Sequence, residues 1–159
     1  MAWFFGKTHA LYYKLIKFSD ATLSPLLDLG IRLYMANIFF KSGQLKLNNY
    51  MNGQWENTVV MFSDYHPIPG IEPQIAAVAG TTGEVILPVL LAIGLFGRIG
   101  AAGLLVMTLI IQFGIPGEYG MANNDHYMWM LLLAVPMLKG PGKLSVDHVL
   151  KKIICKKHA

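Results

Sequence analysis

The stretch Ala79–Arg98, AGTTGEVILPVLLAIGLFGR, is apolar enough for lipid yet carries Glu84 inside it. A membrane span needs about 20 mostly apolar residues. A charge at its centre costs about 2.5–3.5 kcal/mol on insertion scales. Any fold available to this chain must therefore turn Glu84 toward protein or water and supply a partner. Composition points the same way: 54% of residues are hydrophobic and 14% are charged, against about 25% charged in soluble domains.

The 159 residues suffice for one domain, 1–159, without internal repeats or low-complexity segments. Four spans are expected, over about 23–46, 73–96, 99–115 and 121–138. The short FGRIG link between the second and third demands an antiparallel hairpin. The fold class is all-α: an integral membrane four-helix bundle with amphipathic interfacial helices at the N-terminus, at the C-terminus and in the first outer loop. The N-terminal helix carries Leu11, Leu15 and Phe18 on one face. The C-terminal one carries Val146, Val149, Leu150, Ile153 and Ile154, with Ser145 as its N-cap. The loop helix repeats Met51, Trp55, Val59 and Phe62, the stripe of a lid or an outer-interface helix.

Basic residues set the orientation. Lys7, Lys14 and Lys17 flank the first span; Lys139, Lys143, Lys151, Lys152, Lys156 and Lys157 follow the fourth; Arg98 lies at the hairpin. Glu56, Asp64, Glu72, Glu118 and Asp125 lie on the other side. Both termini are therefore expected in the cytoplasm. The net charge of +4 comes with one cysteine, Cys155, so no intrachain disulfide or cysteine metal cluster is expected. The N-terminus lacks the pattern of a cleaved signal peptide.

Depth counting supplies a partner for Glu84. Arg32 lies about 14 Å into the first span, and Glu84 about 18 Å above Phe96. An Arg32–Glu84 pair is expected, with Asp28 a second partner one turn from Arg32. It either pins two helices or marks a polar cavity. Asp28, Arg32, Phe39, Gly43 and Lys46 share one side of the first span; Tyr34, Asn37, Lys41, Gln44 and Asn48 share the opposite side. The fourth span reaches membrane length only by including Asn123–His126, which also read as a capped, solvated helix start. Glu84, Gln112, Asp125, His126 and Lys41 are the candidates to line an outward-opening pocket. His66 and His126 share the outer side with Asp64 and Asp125, but without metal-ligand spacing, and no metal is expected. No nucleophile–base pair, phosphate loop or nucleic-acid motif is visible, so no nucleic-acid partner is expected.

The segments IRLYMANIFFKSGQLKL, GEVILPVLLAIGLFGRIGA and LKGPGKLSVDHVL together resemble the DoxX family. Its pattern falls on Arg32, Gly43, Lys46, Glu84, Arg98, Gly140, Pro141, Gly142, Ser145 and Asp147, over about 28–150. The resemblance implies a four-helix protein of the bacterial inner membrane. Members have been tied to quinone-linked sulfur oxidation as small oxidase subunits, and distant relatives look like chaperones for membrane-protein assembly.

The functional expectation is a membrane subunit of a redox complex that binds a quinone or another lipid-soluble small molecule between the spans. Glu84 and Arg32 are the candidate catalytic residues, one exchanging protons and the other tuning it. Lys41, Gln112, Asp125, His126 and Tyr127 are the candidate ligand-binding residues. No redox centre of the chain's own is visible, so electrons would come from a partner. The competing expectation is a non-enzymatic membrane anchor or assembly protein, with a protein partner or homo-oligomer besides the bilayer. A transporter ranks last, because four spans lack paired broken helices.

Overall fold

The computed structural model describes residues 2–157; the side chains of Lys7 and Lys157, counted above for orientation, lie outside what it describes. The described chain is all helical, without a strand. Helix α1 (Ala2–Phe18) runs through a π turn, residues 19–23, into α2 (Ser24–Met51). The backbone remains helical at both junctions, and Pro25, which has no N–H to donate to the preceding turn, follows directly on the π turn. Leu11, Leu15 and Phe18 are exposed, but they sit on an extension of the first span, not on a separate helix.

A short α3 (Trp55–Val60) and a π segment, residues 61–65, lead to α4 (Pro73–Ile93). Gly94 and Phe96 take left-handed backbone angles and turn the chain into α5 (Gly97–Leu109), which ends in a third π segment, residues 110–114. The hairpin link is thus residues 94–96; Arg98 lies inside α5. A 3₁₀ turn (Gly117–Tyr119) precedes α6 (Asn124–Lys139), and α7 (Val146–Lys157) closes the chain.

Helices α2, α4, α5 and α6 pack in a ring, each against two neighbours. Buried positions alternate in steps of three and four: Asp28, Arg32, Met35, Phe39, Gly43 and Lys46 on α2; Ala77, Thr81, Glu84, Pro88 and Leu91 on α4; Gly97, Ala101, Leu104 and Thr108 on α5. That spacing is the narrow seam of left-handed helix packing. Met35, Phe39, Leu91, Ala101, Leu104 and Leu133 form the central core. Cross-contacts make every neighbouring pair antiparallel: Phe39 meets Trp129, and Asp28 meets Lys139.

Outward positions are large and apolar, among them Leu33, Ile75, Ile86, Val89, Ile99, Val106 and Leu131. Among the described residues, three helical stretches are long and apolar enough to cross a membrane: Leu11–Met51, Pro73–Ile93 and Gly97–Gly114. Helix α6 is shorter than the expected 121–138 because Asn123 ends the loop as an N-cap, its side chain accepting from the Asp125 N–H at 3.1 Å. Ser145 caps α7 as expected, accepting from the His148 N–H at 3.2 Å.

Candidate functional site

The buried seam of α2 carries two cations, and each meets a different kind of partner. Arg32 is fully buried near the α4–α5 turn. Its guanidinium donates to the Leu91 and Ala92 carbonyls, at 3.4 and 3.2 Å, and to the Leu144 carbonyl. The first two belong to the last turn of α4, where carbonyls lack intrahelical partners and the helix dipole favours a cation. Gly94 makes this possible, since a Cβ there would stand 2.3 Å from the Arg32 nitrogen.

The expected Arg32–Glu84 pair is therefore not made. Glu84 meets Lys46, with Nζ to Oε2 at 2.5 Å and both side chains buried. Lys46 also donates to Ser42 Oγ at 2.8 Å, and its ammonium lies 5.9 Å from the Phe62 ring centroid. The physical reason is antiparallel register. Helix α2 runs to Met51, and Glu84 lies in the middle of α4, so it faces the last third of α2. Asp28, expected as a second partner of Arg32, makes no ion pair with it; Lys139 of α6 holds Asp28 at 2.8 and 2.9 Å.

Backbone chemistry fixes the height of Glu84. Pro88 has no N–H, so the Glu84 carbonyl lacks its ordinary acceptor role four residues on. Gly43 packs flat against that peptide: a Cβ would come within 2.7 Å of Glu84 C and O. Gly43 thus brings α2 close enough for Lys46 to reach the carboxylate one turn further on.

This ion pair lies on the wall of a cavity of about 560 Å³. The other walls are chiefly apolar, including Leu45, Leu87, Met107, Ile110 and Ile111. Residues 61–71 line it through Met61, Phe62, His66, Ile68 and Ile71, so the π segment and loop after α3 cover this end of the bundle, while α3 itself lies outside the lining. Its Phe62 is buried against Ala76 and Ala77. Two of the three π segments, 61–65 and 110–114, contribute to the lining, in keeping with the frequent use of such turns at functional sites.

His126 brings the other polar group. Gln112, on the π segment of the third span, accepts the Asn123 N–H at 3.0 Å and also faces His126 Nδ1 at 2.8 Å through the same Oε1. An oxygen that accepts from a backbone N–H cannot donate, so Nδ1 carries the proton and Nε2 keeps the lone pair in the neutral ring. Trp129 lies beside the imidazole, its ring tilted 58° to it, with centroids 4.9 Å apart.

Of the residues expected at the site, Glu84 and His126 line the cavity, and Gln112 orients His126 from behind. Lys41, Asp125 and Tyr127 are exposed and outside its lining, because they fall on the outer faces of α2 and α6. Arg32 is also outside it. Lys46, Ser42, His66 and Phe62 were not expected there. Lys46 was legible as a member of the Arg32 face, and antiparallel register was the signal that would have paired it with Glu84.

The remaining family-pattern residues hold the opposite end together. Asp147 accepts the Phe96 and Gly97 N–H groups at 2.9 and 3.0 Å, capping α5 from another helix. Arg98 reaches the Met137 and Lys139 carbonyls at the end of α6.

A family model described as DoxX matches residues 27–116. A protein of Haemophilus influenzae, described as an uncharacterized protein, is 27% identical over 130 residues, which cover 77% of this chain and 82% of the relative. No solved structure matches.

Proposed function

The chain belongs to the DoxX family of membrane proteins, and from that premise we propose that it binds a lipid-soluble small molecule of the quinone type in the Lys46–Glu84–His126 cavity, as a membrane subunit of a redox complex. In this reading α6 is a fourth span, both termini are cytoplasmic, and the membrane is the bacterial inner one. The lysines within α1 and after α6 support that orientation. Helices α1 and α7 present their exposed apolar faces to the inner leaflet.

One observation carries the proposal: a chiefly apolar cavity of about 560 Å³ with a few convergent polar groups. That size and chemistry suit a small-molecule site. A quinone ring and its first prenyl units would lie among Leu87, Met107, Ile110 and Ile111. Lys46 would donate to one ring oxygen. His126 Nε2 would accept from a quinol hydroxyl or, once protonated, donate to the quinone oxygen. Reduction to quinol takes two electrons and two protons. The electrons come from a partner protein; Glu84 and His126 exchange the protons with the outer side.

The test is purification in native lipid, followed by solvent extraction and mass spectrometry. A prenylated quinone enriched over bulk lipid, and depleted in His126→Ala and Lys46→Met, is the expected result. Equal recovery from those variants, or no enrichment, would reject it.

A second reading, a non-enzymatic anchor or assembly protein, draws on one feature. Asn37, Lys41, Gln44 and Asn48 are exposed along the outer face of α2, and polar groups facing lipid seek partners. Under this reading a stable protein partner co-purifies, and Asn37→Leu with Gln44→Leu releases it.

A further inference from the structure

A second cavity, of about 680 Å³, lies at the opposite end of the bundle from the Glu84 site. It opens between the start of α2, the α4–α5 turn, the end of α6 and the loop into α7. Four cations line it, Arg98, Lys139, Lys143 and Lys151, with His148 beside them and two carboxylates, Asp28 and Asp147.

The carboxylates do not neutralise this set. Asp28 is engaged by Lys139, and Asp147 by the backbone N–H groups of Phe96 and Gly97 at the start of α5. Among the described residues no carboxylate lies in ion-pair contact with Arg98, Lys143 or Lys151. Lys143 donates to the Asp20 carbonyl at 3.0 Å. Among the described residues Arg98 makes two long contacts, each at 3.4 Å, and a guanidinium has five N–H donors. The cavity thus combines surplus positive charge with unspent donors.

Its rim is apolar. Phe96 and Ile99, both on its lining, are 60% and 62% exposed. A soluble anion has no use for such a rim, whereas acyl chains do. We propose that this cavity binds the phosphate of an anionic membrane phospholipid, its headgroup held by Arg98, Lys143 and Lys151 and its chains lying against Phe96 and Ile99. Asp28 and Asp147 hold Lys139 and the α5 terminus in place around it.

The test uses the full-length protein, delipidated in mild detergent and mixed with equal amounts of phosphatidylglycerol and phosphatidylcholine. Native mass spectrometry counts the retained lipid. Preferential retention of phosphatidylglycerol is expected, falling roughly five-fold for each of Arg98→Gln, Lys143→Gln and Lys151→Gln. Lys152→Gln and Lys156→Gln, outside the cavity, leave it unchanged. Equal retention of both lipids, or an equal fall with the Lys152 and Lys156 variants, would overturn the site. In a second arm, inorganic phosphate is added without anionic lipid. No shift in melting temperature is expected. Saturable stabilisation by phosphate, without a lipid preference, would assign the cavity to a soluble anion and overturn the proposal. Should Arg98→Gln fail to fold, the exposed Lys143 and Lys151 carry the test.

Discussion

Arg32 and Lys46 are buried cations on the same face of α2, fourteen residues apart. Arg32 spends its donors on backbone carbonyls at a helix end, in a place closed by Gly94. Lys46 meets a carboxylate on the wall of a cavity. In the first arrangement fixed dipoles meet a planar cation, whose Nε alone is left without a hydrogen-bond partner among the described residues. The second sets a charge and its counter-charge where a small molecule has room. Burial of charge alone therefore does not identify a site; what surrounds the charge does.

The sharpest way to break this comparison is to remove each cation in turn. Lys46→Met leaves the Glu84 carboxylate without its partner and should cost about 3–5 kcal/mol, read as thermal unfolding in detergent. Adding Glu84→Gln should recover most of that loss. Arg32→Gln orphans carbonyls of α4 and of the loop into α7, and should cost about 3 kcal/mol. Glu84→Gln should not rescue it. Rescue of both variants, or of neither, would erase the distinction.

Gly43→Ala pushes α2 away from the Glu84 peptide and should cost about 1–3 kcal/mol. It should also weaken quinone retention, because Lys46 is carried away with the helix. A stability loss with retention intact would separate packing from the site. The smallest effect belongs to Lys41→Gln. Lys41 is exposed on the outer face, so its loss should change stability by less than about 0.5 kcal/mol and leave retention alone.

The helices were readable because their apolar runs are long and their breakers stand at the ends. Gly94 and Asn123 end or begin elements where their chemistry demands. The buried face of α2 was also readable from a period of 3.6 alone: Asp28, Arg32, Phe39, Gly43 and Lys46 are all buried. Pairing across helices was not. Depth counted from presumed span ends placed Glu84 beside Arg32. The end of α2 at Met51 and of α4 at Ile93 moves the match to Lys46. Lid residues such as Phe62 and His66 belong to a loop whose fold depends on tertiary contacts, and no local pattern places them over Glu84. The outward turn of Lys41, Asp125 and Tyr127 follows from helix phase, and Asp125 and Tyr127 could be phased only once α6 was known to begin at Asn124.

The most direct test is a solid-state NMR distance measurement on protein in native lipid, with lysine Nζ, the arginine guanidinium nitrogens and glutamate Cδ labelled. The account predicts a dipolar contact shorter than about 4 Å between a lysine and a glutamate that vanishes in Lys46→Met and in Glu84→Gln and persists in Arg32→Gln. Absence of that contact, with Glu84 Cδ coupled instead to guanidinium nitrogens, would contradict it.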